Sequence, residues 1–369
     1  MLAARRPALA AESDAPLLAN RFLLMSPLER GFWFFRVEEG LKLVRRIARK
    51  HRELVWLEEM GWSSAGRPLL AVRFGRGPQR LAILSGMHGC EPSGPRGCLA
   101  LADALLSGRG PDGADLRPLR QAILEKQTVC LVPLMNPDAA ARFARHFPDC
   151  WHGTWYKTWE EAKELFLAEG NEPQGHFTGS NWKKPPMYFT PAQVAEWTAG
   201  GHELGSSLTA AGVDIWFDWE SFRAVETHAV RDLLDRFRPH AVVDIHNFMF
   251  PTEVFAPTVY SSAARAERET ALALAMEAAL DRARLPRARN RPRPYPKDAL
   301  PIYEDHYFHH RLGACTLIAE VNGGLLATEG KEYQKELEGQ RPLSRAESIE
   351  STYRMLLALL EEGNASAYS

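Results

Sequence analysis

His88 and Glu91 stand three residues apart in Leu81-Ala-Ile-Leu-Ser-Gly-Met-His-Gly-Cys-Glu-Pro-Ser-Gly94. An imidazole nitrogen and a carboxylate oxygen are donors of the kind a catalytic Zn²⁺ takes, with three protein ligands and one position kept for water. The apolar run ahead of them reads as a buried strand, the glycines as a turn, and Pro92 as the opening of a helix. The pair is therefore expected at the carboxyl end of a core strand, the edge at which open α/β sheets bind ligands. Cys90, between the two, could supply a thiolate, but free cysteine more often serves as small buried filler.

A catalytic zinc needs a third ligand, and His246 is the best candidate. It closes Ala241-Val-Val-Asp-Ile-His246, a second apolar run with strand character. A general base is needed as well, and carboxylates beside a metal's water do that work. Glu320 lies in Thr316-Leu-Ile-Ala-Glu-Val321, where a carboxylate is costly unless it is paired or functional. Taken singly, His246 also fits a satisfied core histidine and Glu320 a structural ion pair.

The elements that must position these groups follow from periodicity. Helical spacing of Val37, Leu41, Val44 and Ile47 predicts an amphipathic helix over 34–52. Segments 54–57 and 69–74 form a hairpin around Ser63-Ser-Ala-Gly-Arg67. Strands are expected at 80–87, 128–135, 241–246 and 315–321, and helices at 92–107 and 263–284. Asn136-Pro-Asp138 marks a turn. Ser344-Arg-Ala-Glu347 is a capping box that opens a last helix over 345–362. Alternation of this kind predicts one large α/β domain, a twisted, mixed and mostly parallel sheet covered by helices on both faces. Its expected limits are 34–362, after an N-terminal arm (1–33) and before a tail (363–369).

Two stretches break the rhythm. Residues 143–211 contain Trp151, Trp155, Trp159, Trp182 and Trp197, half of the 10 tryptophans, and read as a folded aromatic-rich insertion near the site. Residues 282–297 concentrate basic side chains and prolines, as a stiff solvated loop or a cationic rim facing an acidic substrate. His306, His309 and His310 have one-face helical spacing; a partly exposed helix face is a simpler reading than a metal site.

Lys+Arg number 45 against Asp+Glu 46, a net charge of −1, which argues against nucleic acid as the main partner. No apolar run reaches the roughly 18–20 residues that span a bilayer, so no membrane partner is expected. Arg21 interrupts the apolar stretch after Arg5-Arg6, and five scattered cysteines do not form a disulfide framework; a cytoplasmic setting is the simplest expectation.

Together these residues resemble the zinc carboxypeptidases of the carboxypeptidase A-like family, which also includes deacylases of the succinylglutamate desuccinylase and aspartoacylase type. The resemblance rests on Gly61-Trp-Ser-Ser-Ala-Gly-Arg-Pro68, Ser85-Gly-Met-His-Gly-Cys-Glu-Pro92, Met135-Asn-Pro-Asp138, Gly212-Val-Asp214, Glu226-Thr227 and Val243-Asp-Ile-His246, in that order. Glu320 follows, 74 residues after His246, where the family keeps its base. The resemblance implies one Zn²⁺ on His88, Glu91 and His246, with Glu320 moving the water's proton to the leaving amine. It implies Asp214 as acceptor of a hydrogen bond from His88, and a mobile tyrosine, for which Tyr295 is the first choice and Tyr303 the second. A peptide or small amide is the implied substrate.

The chain also departs from the family. Trp216-Phe217 stand where an Asn-Arg pair grips a substrate's free carboxylate, and the upstream arginine is missing from Ser206–Ala211. Leaving a desolvated carboxylate unpaired costs about 2–5 kcal/mol. Either Arg223, Arg142, Arg145 or Lys183 substitutes, or the substrate lacks that carboxylate and Trp216 and Phe217 wall an apolar pocket or simply pack the core. The expectation is accordingly an amide hydrolase of metallocarboxypeptidase type. A deacylase or amidase of small or C-terminally blocked substrates is the alternative, and an inactive metal-binding homologue a further one.

Overall fold

In the computed structural model the described residues are 27–32, 34, 36–89, 91–146, 208–248, 251–289, 292, 303–322, 341 and 343–368. In chain order they form α1 (Pro27–Phe32), α2 (Val37–Lys50), β1 (Val55–Trp62), β2 (Pro68–Gly75), β3 (Gln79–Ser85), α3 (Ser93–Ser107), α4 (Arg117–Lys126), β4 (Gln127–Val132) and α5 (Pro137–His146). Then come α6 (Val225–Phe237), β5 (Ala241–Phe248), β6 (Glu253–Phe255), α7 (Ala263–Arg282), α8 (Glu304–His306), a π turn (Tyr307–Arg311), β7 (Cys315–Asn322) and α9 (Arg345–Ala365).

The seven strands make one sheet in the order β1-β2-β4-β3-β5-β7-β6. Its centre, β4-β3-β5-β7, is parallel, whereas β1, β2 and β6 run antiparallel to their neighbours. Side chains alternate between faces along a strand. Leu81, Ile83, Val243, Ile245, Leu317 and Ala319 face a core shared with α2, α3, α7 and α9. Ala82, Leu84 and Val242 face the opposite core, which α6, Trp216, Trp219 and Tyr303–Phe308 complete. The sheet thus has helices on both sides, as the βα alternation predicts.

Helix α3 is buried nearly all round, as a helix wedged between sheet and helix must be, and it lies between the sheet and α9. The capping box at Ser344 and Glu347 forms as read. Helix α9 runs past 362 to Ala365, and Tyr368 beyond it is fully buried, its hydroxyl donating to Gln127 Oε1 (2.7 Å). Within the arm expected over 1–33, residues 27–32 are helical.

Some expectations shift. Strands β3 and β4 end two or three residues early, where Gly86 turns and Pro133 withholds a ladder donor. Helices α4, α5 and α6 and the short β6 lie in stretches for which no element was expected. The histidine segment is no regular helix: α8 widens into the π turn, and His309 is buried while His310 is exposed.

Candidate metal centre

The loop after β3 places His88 and Glu91. Gly86 has φ 69°, which favours glycine, and Gly89 has no room for a side chain: a Cβ there would lie 2.2 Å from the backbone carbon of Ala139. The loop is thereby pressed onto the first turn of α5. From the other side, Ser93 N donates to Asn247 Oδ1 (3.0 Å) and Asn247 Nδ2 to Val321 O (3.1 Å). One buried asparagine, next to His246, thus ties β5 and β7 to the start of α3.

His246 leaves the end of β5 on the same face as Asp244. Its Nδ1 lies 3.2 Å from His88 Nδ1 and 3.3 Å from Glu91 Oε2, and His88 Nδ1 lies 2.6 Å from Glu91 Oε1. Among the described residues these three form the group able to hold a metal ion, with all donor atoms within 4.8 Å of one another. Tetrahedral donors at 2.0–2.1 Å from zinc are separated by about 3.3 Å, so two of the three spacings already match. Glu91 Oε2 is buried and, among the described residues, has no hydrogen-bond partner, as expected of an oxygen reserved for a cation. The donor set fits zinc: two imidazoles and a carboxylate, deeply buried.

The electrostatics agree with a cation site. Burial opposes a charged His246, yet Asp244 and Glu91 outweigh it and raise the imidazole's proton affinity well above the usual histidine range. Burial likewise opposes an ionised Glu91, but His88 and His246 hold its carboxyl well below the usual range. Positive charge is wanted between these groups.

Glu320 is the register partner of His246 across β5 and β7, so both side chains leave the same face of the sheet. It is half-buried, and Glu253 is its partner on β6. Asp214 is buried, and its Oδ1 accepts from Trp216 N (3.0 Å). The Trp216 ring stands edge-on to the His88 ring, centroids 5.5 Å apart, and Phe217 and Tyr303 complete an aromatic group at 5.0–6.1 Å. The two readings of Trp216-Phe217 therefore merge: Trp216 packs the core and also borders a metal ligand.

Other expected residues fall elsewhere. Arg223 is exposed and its backbone N–H, with those of Ala224 and the Ser221 hydroxyl, is held by the buried Asp218. Tyr295, Lys183, Cys90 and most of 143–211 lie outside the described residues, as do the side chains of Arg142 and Arg145. Of the basic stretch, Arg287 is committed to Asp281 (2.8 Å) and Glu277 (3.3 Å). The Ser63–Arg67 turn proves structural: Asp138 accepts from Ser63 Oγ, Ala65 N and Arg67 Nη1, and Glu226 accepts from Ser64 N and Oγ. These contacts explain why the hairpin, Asn-Pro-Asp and Glu-Thr motifs occur together. Asp244 is a neighbour of the site that sequence reading missed, although its place two residues before His246 on a strand could have flagged it.

A mixed α/β sheet thus carries a zinc-type donor set beside the carboxyl ends of its parallel strands. The sequence profile of the zinc carboxypeptidase family matches residues 41–316, and the chain belongs to that family. It is similar to carboxypeptidase E of Caenorhabditis elegans, 28% identical over 152 residues, covering 37% of this chain and 31% of that protein. The match thus spans about a third of that relative's length. The fold is that of a metallo-carboxypeptidase from Burkholderia cenocepacia (TM-score 0.58, 16% identity, 89% of this chain and 69% of that one). It is also that of bovine thrombin-activatable fibrinolysis inhibitor (TM-score 0.53, 15% identity, 89% and 96%).

Proposed function

We propose that the chain hydrolyses amide bonds as a metallocarboxypeptidase-like enzyme with one zinc ion held by His88, Glu91 and His246. The observation behind this reading is the convergence of three donors on one point, with Glu320 in register beside His246. A zinc ion held by these three residues would supply Lewis-acid polarisation of the scissile carbonyl and would lower the pKa of a water to about 7. Glu320 takes the water's proton and passes it to the departing amine. Asp214 keeps a place in this reading as acceptor for the His88 ring, and Tyr295 as the mobile tyrosine. Peptides are the substrate class, in keeping with the family.

A second reading is favoured by the aromatic group beside His88. Trp216, Phe217 and Tyr303 offer an apolar wall rather than a cation, which suits a deacylase or amidase of a small or C-terminally blocked substrate. The test is hydrolysis of matched free-acid peptides, C-terminal amides and N-acyl amino acids by zinc-loaded protein, before and after chelation. Preference for the free acid supports the carboxypeptidase reading, and preference for amides or acyl amino acids the second. No zinc-dependent turnover of any of them would leave the inactive-homologue reading.

The described cysteines, Cys98, Cys130 and Cys315, are free and buried, and burial pushes their thiols up to about 12, 12 and 11. Inert reduced thiols suit a reducing compartment, and the cytoplasm is the proposed location. Among the described residues no helix is long and apolar enough to cross a membrane.

A further inference from the structure

Asp244 is fully buried on β5, with Leu84 and Ile318 as its register partners on β3 and β7. Among the described residues neither of its carboxyl oxygens has a hydrogen-bond partner. A carboxyl group in such surroundings is costly unless something compensates it. Among the described residues its ionic neighbour is His246, whose Nε2 lies 3.4 Å from Asp244 Oδ2. The two nitrogens of that ring therefore look in opposite directions. Nδ1 faces His88 and Glu91, and Nε2 faces Asp244.

We propose that Asp244 is a positioning residue for the metal, fixing the orientation and tautomer of His246 so that Nδ1 presents its lone pair to the ion. A neutral imidazole that gives Nδ1 to a metal must carry its proton on Nε2, and an acceptor aimed at Nε2 selects that form. The two residues need no loop to bring them together, because positions i and i+2 of one strand share a face. The sheet itself sets the pairing. The contact is longer than a well-formed hydrogen bond, and a shift of a few tenths of an ångström in the ring would close it. Leu84 and Ile318, the register partners of Asp244, offer the carboxylate no polar contact, so the compensation for its burial comes from the His246 ring.

This inference rests on the zinc reading above, and the experiment separates the two. Zinc affinity is measured by chelator competition, and the melting temperature of the metal-free form is recorded, for wild type, His246→Ala, Asp244→Asn, Asp244→Leu and Asp244→Ala. The expected result is a 10- to 100-fold loss of affinity for Asp244→Ala and Asp244→Leu, the usual effect of removing such a partner. Asp244→Asn, whose amide oxygen still accepts from Nε2–H, should lose less. Melting of metal-free Asp244→Asn and Asp244→Leu should be unchanged or higher than wild type. Unchanged zinc affinity in Asp244→Leu, with His246→Ala crippled, overturns the inference alone. A lowered melting point with intact affinity also overturns it, because it marks a purely structural residue. Wild type without zinc affinity overturns the reading beneath it.

Discussion

His246 and Glu320 are register partners on adjacent parallel strands, β5 and β7. Residues so paired leave the sheet on one face, so a ligand-type imidazole and a carboxyl are placed side by side by backbone hydrogen bonds alone. For this pair strand ends, rather than a loop, set the geometry, whereas His88 and Glu91 are placed by the loop after β3. Glu320→Gln should retain zinc at wild-type stoichiometry and lose about 10²- to 10⁴-fold in kcat. Full activity in that variant would refute Glu320 as the base.

The His88–Glu91 loop is positioned by lack of space at Gly89, against the backbone of Ala139. Gly89→Ala must move either the loop or α5. It is expected to lose zinc affinity on the order of tenfold or more, since misoriented ligands cost about that much. Wild-type affinity in a folded Gly89→Ala protein would show that the loop adapts and that the fit is not set there.

Glu277 gives a pH signature away from the site. It is buried in α7, and burial pushes its carboxyl up to about 7, against the pull of Arg287 3.3 Å away. A raised folded pKa means that the folded state binds more protons than the unfolded one, so this group's contribution declines as pH rises from the usual 4.5 through 7. Glu277→Gln removes the penalty on the charged form. Its stability relative to wild type, from urea unfolding, should rise by about 2 kcal/mol between pH 5 and pH 7.5. A difference independent of pH would contradict this account.

Trp216 and Phe217 are adjacent in sequence but differ in burial, the first packed in the core and the second half-buried. Trp216→Ala should destabilise the fold by about 3–5 kcal/mol, typical of a large core truncation. Phe217→Ala should cost clearly less and alter KM while leaving zinc content unchanged. Equal losses of stability in the two variants would place Phe217 in the core and remove it from the substrate wall.

Much of this arrangement is legible in the chain because its signals are local. The apolar runs ending at His88 and His246 announce core strands, and parallel alternation puts their ends on one edge. Ser344 and Glu347 announce the last helix and cap it as read. What stays hidden depends on partners far away in sequence. Helix α4 buries little more than Ile123, so its periodic signal is faint. Asp138 and Glu226 look like motif residues with chemical roles until the Ser63–Arg67 turn they hold comes into view. The edge strand β6 is three residues long and includes a glutamate, which no strand pattern favours. Asp244 was in plain sight, but its meaning depends on which way the His246 ring turns.

Zinc K-edge X-ray absorption on the stoichiometrically loaded protein tests the central claim most directly. The account predicts two imidazole nitrogens and carboxylate oxygen at about 2.0–2.2 Å, a remaining light-atom position for water, and no sulfur. A sulfur shell near 2.3 Å would bring Cys90 into the site, and retention of the same spectrum in His246→Ala would contradict the three-ligand centre.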